Sequence, residues 1–317
     1  MLDVGIDLGG TNIKVGIVDS EFKIIAKTSI KTDMPKPVEQ IVDNIANCVV
    51  NLCDLNDVKF DNIDTIGIGS PGNVNSKTGV VLNAANLNFK NTPLGELLSQ
   101  KLGRKVTVEN DANAAAYGEY LAGAGVGFKD LTVITLGTGV GGGIIINGKI
   151  HNGFGFCGGE LGHMVLEKDG VPCNCGRKGC IEVYCSATAL KRMTADALKD
   201  NPQSRIKDFS IQEISGKTAF EAMKIGDETA TRVVKRYLDY LGCAVTNIVN
   251  LLQPELILIG GGICKEGDFI IKPLTEYVMR EAFYIDRENG AFTKIAAAKL
   301  GNDAGIIGAS KIRKGHI

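Results

Sequence analysis

The chain has 317 residues, enough for two packed domains or one unusually large one. With 44% hydrophobic and 22% charged residues it has the balance of a soluble globular protein, which excludes a largely disordered chain. A formal net charge of -1 without a long lysine or arginine run argues against a nucleic-acid partner, and no apolar run reaches the roughly 18 residues of a membrane span. The N-terminus lacks a basic region followed by an apolar stretch and a small-residue cleavage site, so the cytoplasm is the expected compartment.

Residues 3–8 read as a strand entering Gly9-Gly10, and 13–18 alternate as its partner. From 38 to 52, Val38, Ile41, Val42, Ile45, Val49 and Leu52 share one helical face. Strands at 63–68 and 106–108 follow, the second leading through Glu109-Asn110-Asp111 into an alanine-rich helix from 112 to about 121. This succession belongs to the α/β class. A second round starts at 131–136, a strand that meets Gly137-Thr138-Gly139 with a partner at 143–146. The likeness of IDLGGTN to ITLGTGV hints at internal duplication, although so short a match also arises by chance. A long amphipathic helix runs from Ala230 to Leu252, Pro254 stops it, and strand 256–259 enters Gly260-Gly261-Gly262. A Gly-rich stretch, 301–308, opens a C-terminal helix, while 200–216 is the least patterned part of the chain.

Three strands thus end in glycine turns. A phosphate-binding loop needs converging backbone N–H groups and side chains small enough to admit the anion. Asp7, Gly9, Gly10, Thr11, Asn12 and Lys14 supply these, together with a hydroxyl, an amide and a cation. Asp7 is placed to hold Mg2+, directly or through water. A plain hairpin would need only the two glycines. Thr138 and Gly139 repeat the build, and Gly261 and Gly262 form the third turn. Gly143-x4-Gly148-Lys149 begins like a Walker A loop, but Ile150 stands where Ser or Thr should reach Mg2+, and Asn147-Gly148 reads as a hairpin turn.

Asp111, where a strand meets a helix, can accept the proton of an alcohol during phosphoryl transfer. Asn110 or Asp111 can equally cap the helix, and the two roles are compatible. Of nine cysteines, Cys48, Cys53, Cys157, Cys185, Cys243 and Cys264 are scattered and mostly suit buried packing. Cys173, Cys175 and Cys180 cluster around Gly176 and Gly179, which in a reducing compartment points to zinc. Of three histidines, His151 and His316 lack such a context, leaving His163 as fourth ligand of a closed structural site. Glu160 and Glu182 flank this loop, where rigidly held carboxylates can read sugar hydroxyls.

Together these residues resemble the ROK family (repressors, open reading frames and kinases), above all its bacterial glucokinase-like members. The motifs are DLGGTNIKVG at 7–16, SPG at 70–72, ENDANAAAYGE at 109–119, TLGTGVGGG at 135–143, GGELGH at 158–163, CNCGRKGCIE at 173–182, PELILIGGGI at 254–263 and GNDAGIIGA at 301–309. The resemblance implies an actin-like ATPase (ribonuclease H-like) fold of two related α/β domains around a cleft. A small domain is expected at 1–120, rejoined by a helix at about 301–317, and a large one with the zinc loop at 121–300. It implies Asp111 as the base that takes the proton of a hexose 6-hydroxyl, with Gly72, Asn110, Glu160, His163 and Glu182 at the sugar. ATP and Mg2+ would lie on Asp7, Gly10, Thr11, Asn12, Lys14, Thr138 and Gly139, with Gly261 and Gly262 against the adenosine. Zinc would take His163, Cys173, Cys175 and Cys180, His163 serving sugar and metal through different ring nitrogens. Glucose is the expected acceptor, with N-acetylmannosamine, N-acetylglucosamine, allose and fructose as alternatives, and a homodimer or homotetramer the expected assembly. A ROK repressor would need a helix-turn-helix segment ahead of the core, for which the loop at Asp7 leaves no room. An actin- or chaperone-type ATPase would have no use for the zinc loop, and a sugar sensor without turnover is the remaining rival.

Overall fold

The computed structural model describes residues 1–209, 213–283, 290 and 292–315, so His316 and the end of the expected C-terminal helix lie outside the described residues. Strands β1 (Leu2–Leu8), β2 (Asn12–Val18) and β3 (Ile24–Lys31) form an antiparallel meander. Helix α1 (Val38–Leu55) buries Ile41, Val42, Ile45, Val49 and Leu52, the face that the periodicity predicts. Strand β4 (Ile63–Ser70) runs parallel to β1. A small antiparallel sheet follows, made of β5 (Asn73–Asn75), β6 (Val80–Ala84) and β7 (Phe89–Thr92). Helix α2 (Leu94–Leu102) then leads to β8 (Val106–Asn110), parallel to β4, and to α3 (Asp111–Ala122).

Strands β9 (Leu131–Leu136), β10 (Val140–Ile146) and β11 (Lys149–Ile150) come next. Asn147 and Gly148, with φ of 52° and 74°, turn β10 into β11, the hairpin that the sequence suggests in place of a P-loop. Then come α4 (Glu182–Cys185), α5 (Ala187–Asp200), α6 (Thr218–Lys224), α7 (Glu228–Leu252), β12 (Leu256–Gly260), α8 (Asp268–Glu281), β13 (Lys294–Ala297) and α9 (Ala304–Gly315). One five-stranded sheet is ordered β3-β2-β1-β4-β8 and the other β11-β10-β9-β12-β13. Numbered within itself, each reads 3-2-1-4-5, so both sheets follow one plan and the repeated glycine turn sits at the same place in each.

The chain divides into two compact units, Met1–Leu131 with Gly143–Gly159 and Lys299 onward, and Thr132–Gly142 with Glu160–Ala298. Residues 143–159, expected in the second domain, group with the first, where Asn152 bonds Glu109 and Ser76. In this first unit α9 lies directly on β1 and α3. A Cβ on Gly5 would overlap the Ile306 carbonyl, and one on Gly308 the carbonyl of Ala114, so only glycine allows the approach. A buried pair fastens the same helix: Lys311 donates to Asp3, whose Oδ1 accepts from the Thr65 N–H at 3.0 Å.

Candidate active site

In the first unit, the β1–β2 turn holds the predicted phosphate loop. Gly9 N–H donates to the Asn12 carbonyl at 2.9 Å, and the Thr32 hydroxyl donates to the Gly9 carbonyl at 2.7 Å, which fixes the turn from β3's end. Thr11 and Asn12 are exposed, with Gly10 half-buried between Gly9 and Thr11. Asp7 and Lys14 face each other across the register and form an ion pair of 2.9 Å. An anion arriving at the loop would meet a lysine already held in place.

Asn110, not Asp111, caps α3. Its Oδ1 accepts from the N–H groups of Ala112 (2.9 Å) and Asn113 (3.1 Å), and its Nδ2 donates to the Gly72 carbonyl at 3.0 Å. The structure thereby joins two predicted sugar-site residues, Gly72 and Asn110. It also leaves Asp111 in the first helical turn, where the helix dipole favours a carboxylate. Asp111 is half-buried.

In the second unit, Gly137-Thr138-Gly139 is gripped by the start of α5: Ala187 N–H donates to the Gly137 carbonyl (2.9 Å) and the Thr188 hydroxyl to that of Thr138 (2.8 Å). Glu182 Oε2 accepts from the Val140 N–H at 3.0 Å and lies so close to Gly139 that a Cβ there would overlap it. The third turn, with Gly261 at φ 96°, leads from β12 into a 3-10 helix that starts at Gly262.

The four expected metal ligands meet. One ligand atom from each of His163, Cys173, Cys175 and Cys180 lies within 4.8 Å of all the others. Cys175 and Cys180 Sγ are 3.6 Å apart, and Cys173 Sγ is 3.7 Å from His163 Nδ1. Zn–S and Zn–N bonds of ordinary length in a tetrahedron require about 3.8 Å between sulfurs and about 3.6 Å from sulfur to nitrogen, so the set fits Zn2+. The loop is folded by its own backbone, with Cys173 N–H donating to the Arg177 carbonyl (2.9 Å) and Gly176 N–H to that of Cys173 (3.0 Å). Burial pushes the Cys180 thiol up to about 12 and raises that of Cys173, whereas the backbone N–H of Arg177 draws Cys175 below its ordinary value. Two protonated and crowded thiols are what a metal cation would convert to bound thiolates.

Glu182 Oε1 is 3.8 Å from Cys173 Sγ, so one carboxylate touches both the metal loop and the second glycine turn. Glu160 is exposed at the start of a short 3-10 turn, its carbonyl accepting from the His163 N–H at 3.0 Å. His151 is exposed and stands outside the metal cluster. No cysteine forms a disulfide among the described residues, and Cys157, unlike most of the scattered thiols, is exposed.

Comparison with known proteins decides the family. The sequence profile of the ROK family matches residues 3–316. The chain belongs to the ROK family. Its fold is the actin-like ATPase architecture of that family. Among ROK relatives, a glucokinase of Halalkalibacterium halodurans is 38% identical over 309 residues, covering 96% of this chain and 92% of that protein. A glucokinase of Thermotoga maritima is 36% identical over 317 residues, with 99% and 98% covered. A crystal structure of a ROK glucokinase from Streptomyces griseus in complex with glucose and AMPPNP superposes with a TM-score of 0.82 at 34% identity, covering 99% of this chain and all of that one. No helix among the described residues of this ROK chain is long and apolar enough to cross a membrane. Sequence reading missed Glu109, Asn113 and Asn152, which form a polar cluster under the Asn110-Asp111 turn, the first two buried and the third half-buried.

Proposed function

We propose that this chain is an ATP-dependent hexokinase that phosphorylates the 6-hydroxyl of glucose. The observation that carries the reading is the placement of Asp111: a carboxylate in the first turn of α3, whose cap Asn110 supplies, in a chain whose full-length relatives include glucokinases. The 6-oxygen attacks the γ-phosphorus as the bond to the β–γ bridging oxygen breaks. Asp111 receives the hydroxyl proton and ADP leaves. Such transfer has a loose transition state, so the protein contributes mainly position and charge.

In this reading the phosphates lie on Gly9, Gly10, Thr11 and Asn12 and on Thr138 and Gly139, with Lys14 exchanging part of its contact to Asp7 for a phosphate oxygen. Asp7 holds Mg2+ directly or through water, and Gly261 and Gly262 take the adenosine. Gly72, Asn110, Glu160, His163 and Glu182 read the sugar. His163 turns Nδ1 toward Cys173, and in this reading Nε2 would meet a sugar hydroxyl. Zinc on His163, Cys173, Cys175 and Cys180 supplies a structural cross-link that steadies Glu182 and His163. The enzyme works in the cytoplasm as a homodimer or homotetramer.

A coupled ADP-release assay with ATP and Mg2+ across glucose, fructose, allose, N-acetylglucosamine and N-acetylmannosamine tests the reading. The expected result is the highest kcat/KM with glucose. Preference for an N-acetyl sugar would overturn the substrate, and no turnover with any sugar would favour a sensor.

A further inference from the structure

The cluster under the Asn110-Asp111 turn has no part in the roles assigned above. Glu109, 1% exposed near the end of β8, is its hub. Its Oε1 accepts from the Asn110 backbone N–H at 2.7 Å and from Asn113 Nδ2 at 3.1 Å, and its Oε2 accepts from Asn152 Nδ2 at 3.0 Å. Asn113 gives its other amide proton to Asn152 Oδ1 (3.0 Å), and Asn152 reaches on to the Ser76 hydroxyl (2.9 Å). The Asn152 backbone carbonyl accepts from the Gly158 N–H at 2.9 Å, which closes the loop just ahead of Glu160.

Burying a carboxylate is unfavourable unless donors surround it. Here the donors come from separate segments: the β8–α3 junction, the first turn of α3, and the stretch after β11. Asn113 gives both amide protons to the cluster, and its Oδ1 is buried without a partner. The opposite amide orientation would aim that oxygen at the Glu109 carboxylate, so the charge on Glu109 selects the arrangement. We propose that Glu109 is a positioning residue that fastens the Asn110-Asp111 turn to the 152–158 loop and so sets Asp111 for proton transfer. The catalytic half of this proposal rests on the kinase reading, whereas the fastening does not.

Reversing the hydrogen bonds tests it. Glu109→Gln places an amide donor against the Asn152 amide, and Asn152→Asp places two carboxylates together. In Glu109→Gln/Asn152→Asp every contact again joins one donor to one acceptor: the carboxylate introduced at position 152 would accept from the amide introduced at position 109, from Asn113 and from Ser76. Each single variant is expected to lower kcat at least about tenfold, as a small misplacement of a reacting group does, while KM for ATP stays within about twofold. The double variant should recover kcat to within about threefold of the wild type. Amide hydrogen exchange should rise at both 110–113 and 152–158 in each single variant and return in the double.

Single variants with wild-type kcat, or a folded double variant no better than the worse single, would overturn the positioning role. If a single variant fails to fold, the double variant alone decides, because recovery of its kcat requires the reversed pair to work. If the wild type turns over no hexose, the kinase reading fails, and hydrogen exchange alone judges the fastening. A coupled change in both segments upholds it, and exchange confined to one segment refutes it.

Discussion

Replacing Asp111 by asparagine separates chemistry from folding. The cap of α3 is supplied by Asn110 through two N–H groups, so Asp111→Asn removes no capping bond. Asparagine also keeps an oxygen where Asp111 Oδ1 accepts from the Ala112 N–H at 2.9 Å. The negative charge at the helix start is lost, worth about 0.3–1 kcal/mol at a partly exposed site. At ~2–4 °C per kcal/mol for a domain of this size, melting should fall by no more than about 4 °C. The proton acceptor is lost as well, and a general base contributes about 10²–10⁴-fold, or ~2.7–5.4 kcal/mol of barrier. The assay is ADP release with glucose at saturating ATP, with a melting curve on the same sample. The expected result is a kcat lowered by about 10²–10⁴-fold with KM values changed less than about threefold. A kcat within about tenfold of the wild type would refute Asp111 as the base. A melting loss well above about 4 °C would refute the argument that the substitution leaves the start of α3 capped.

Cys175→Ser should lower zinc stoichiometry, measured by elemental analysis, and weaken melting and glucose affinity together. A ligand matters more than its outer partners, whose changes alone cost about 10–100-fold in metal affinity, so unchanged metal content would refute the site. Lys311→Met leaves the buried Asp3 carboxylate without its cation and should cost about 3–5 kcal/mol in urea unfolding. Asp3→Asn with Lys311→Met should recover most of that, and a single variant within about 1 kcal/mol of the wild type would refute the argument. Asp227 caps α7 by accepting from Ala230 N–H (2.7 Å), and it also accepts from Arg205 N–H (2.8 Å) and the Ser204 hydroxyl (3.0 Å). Burial opposes its ionisation, but these donors outweigh it and hold the carboxyl below the usual range. Its stabilisation is therefore present above the unfolded pKa of about 3.9 and is lost as pH falls through the lower folded value. Asp227→Asn turns one accepting oxygen into an amide that faces donors, and should be less stable by about 1–3 kcal/mol at pH 7 in urea unfolding. That gap should narrow below about pH 4, and one of constant size would refute the linkage.

The fold was legible wherever one face of an element decides its burial. Helix α1 and helix α7 carry apolar residues at helical spacing because each has one buried side, and β1, β9 and β12 are short apolar runs that end at or just before glycine. Helix α3 was found through its alanines and the preceding Asn-Asp, not through periodicity. It is packed on more than one side, with Gly118 against the Ala304 carbonyl of α9 and, on the opposite face, Ala116 against Gly143, so no polar stripe is needed. The sheet of β5, β6 and β7 was not legible. Its strands are three to five residues long and rich in asparagine, a composition shared with turns. The common plan of the two large sheets survives in sequence only as the strand-to-glycine turn. The strand order itself is set by pairings that no local pattern encodes.

The same distinction separates the parts of the site. A glycine turn and a zinc loop are built from neighbouring residues, because converging N–H groups and clustered sulfurs must come from a backbone that bends back on itself. Their chemistry is therefore written in contiguous letters, and 7–14 and 173–180 could be read directly. His163 lies ten residues before Cys173, yet it was within reach because few histidines compete for the fourth position. Glu182 is harder to read: its spacing from Cys180 places it beside the metal loop, but its bond to Val140 joins residues 42 positions apart. Glu109 is the extreme case. Beside Asn110 and Asp111 it looks like one more polar residue at a strand end, and only the arrival of Asn152, 43 positions later, makes it a hub. A buried carboxylate is intelligible only through its donors, and donors from distant segments leave no mark on the stretch of sequence that holds the acid.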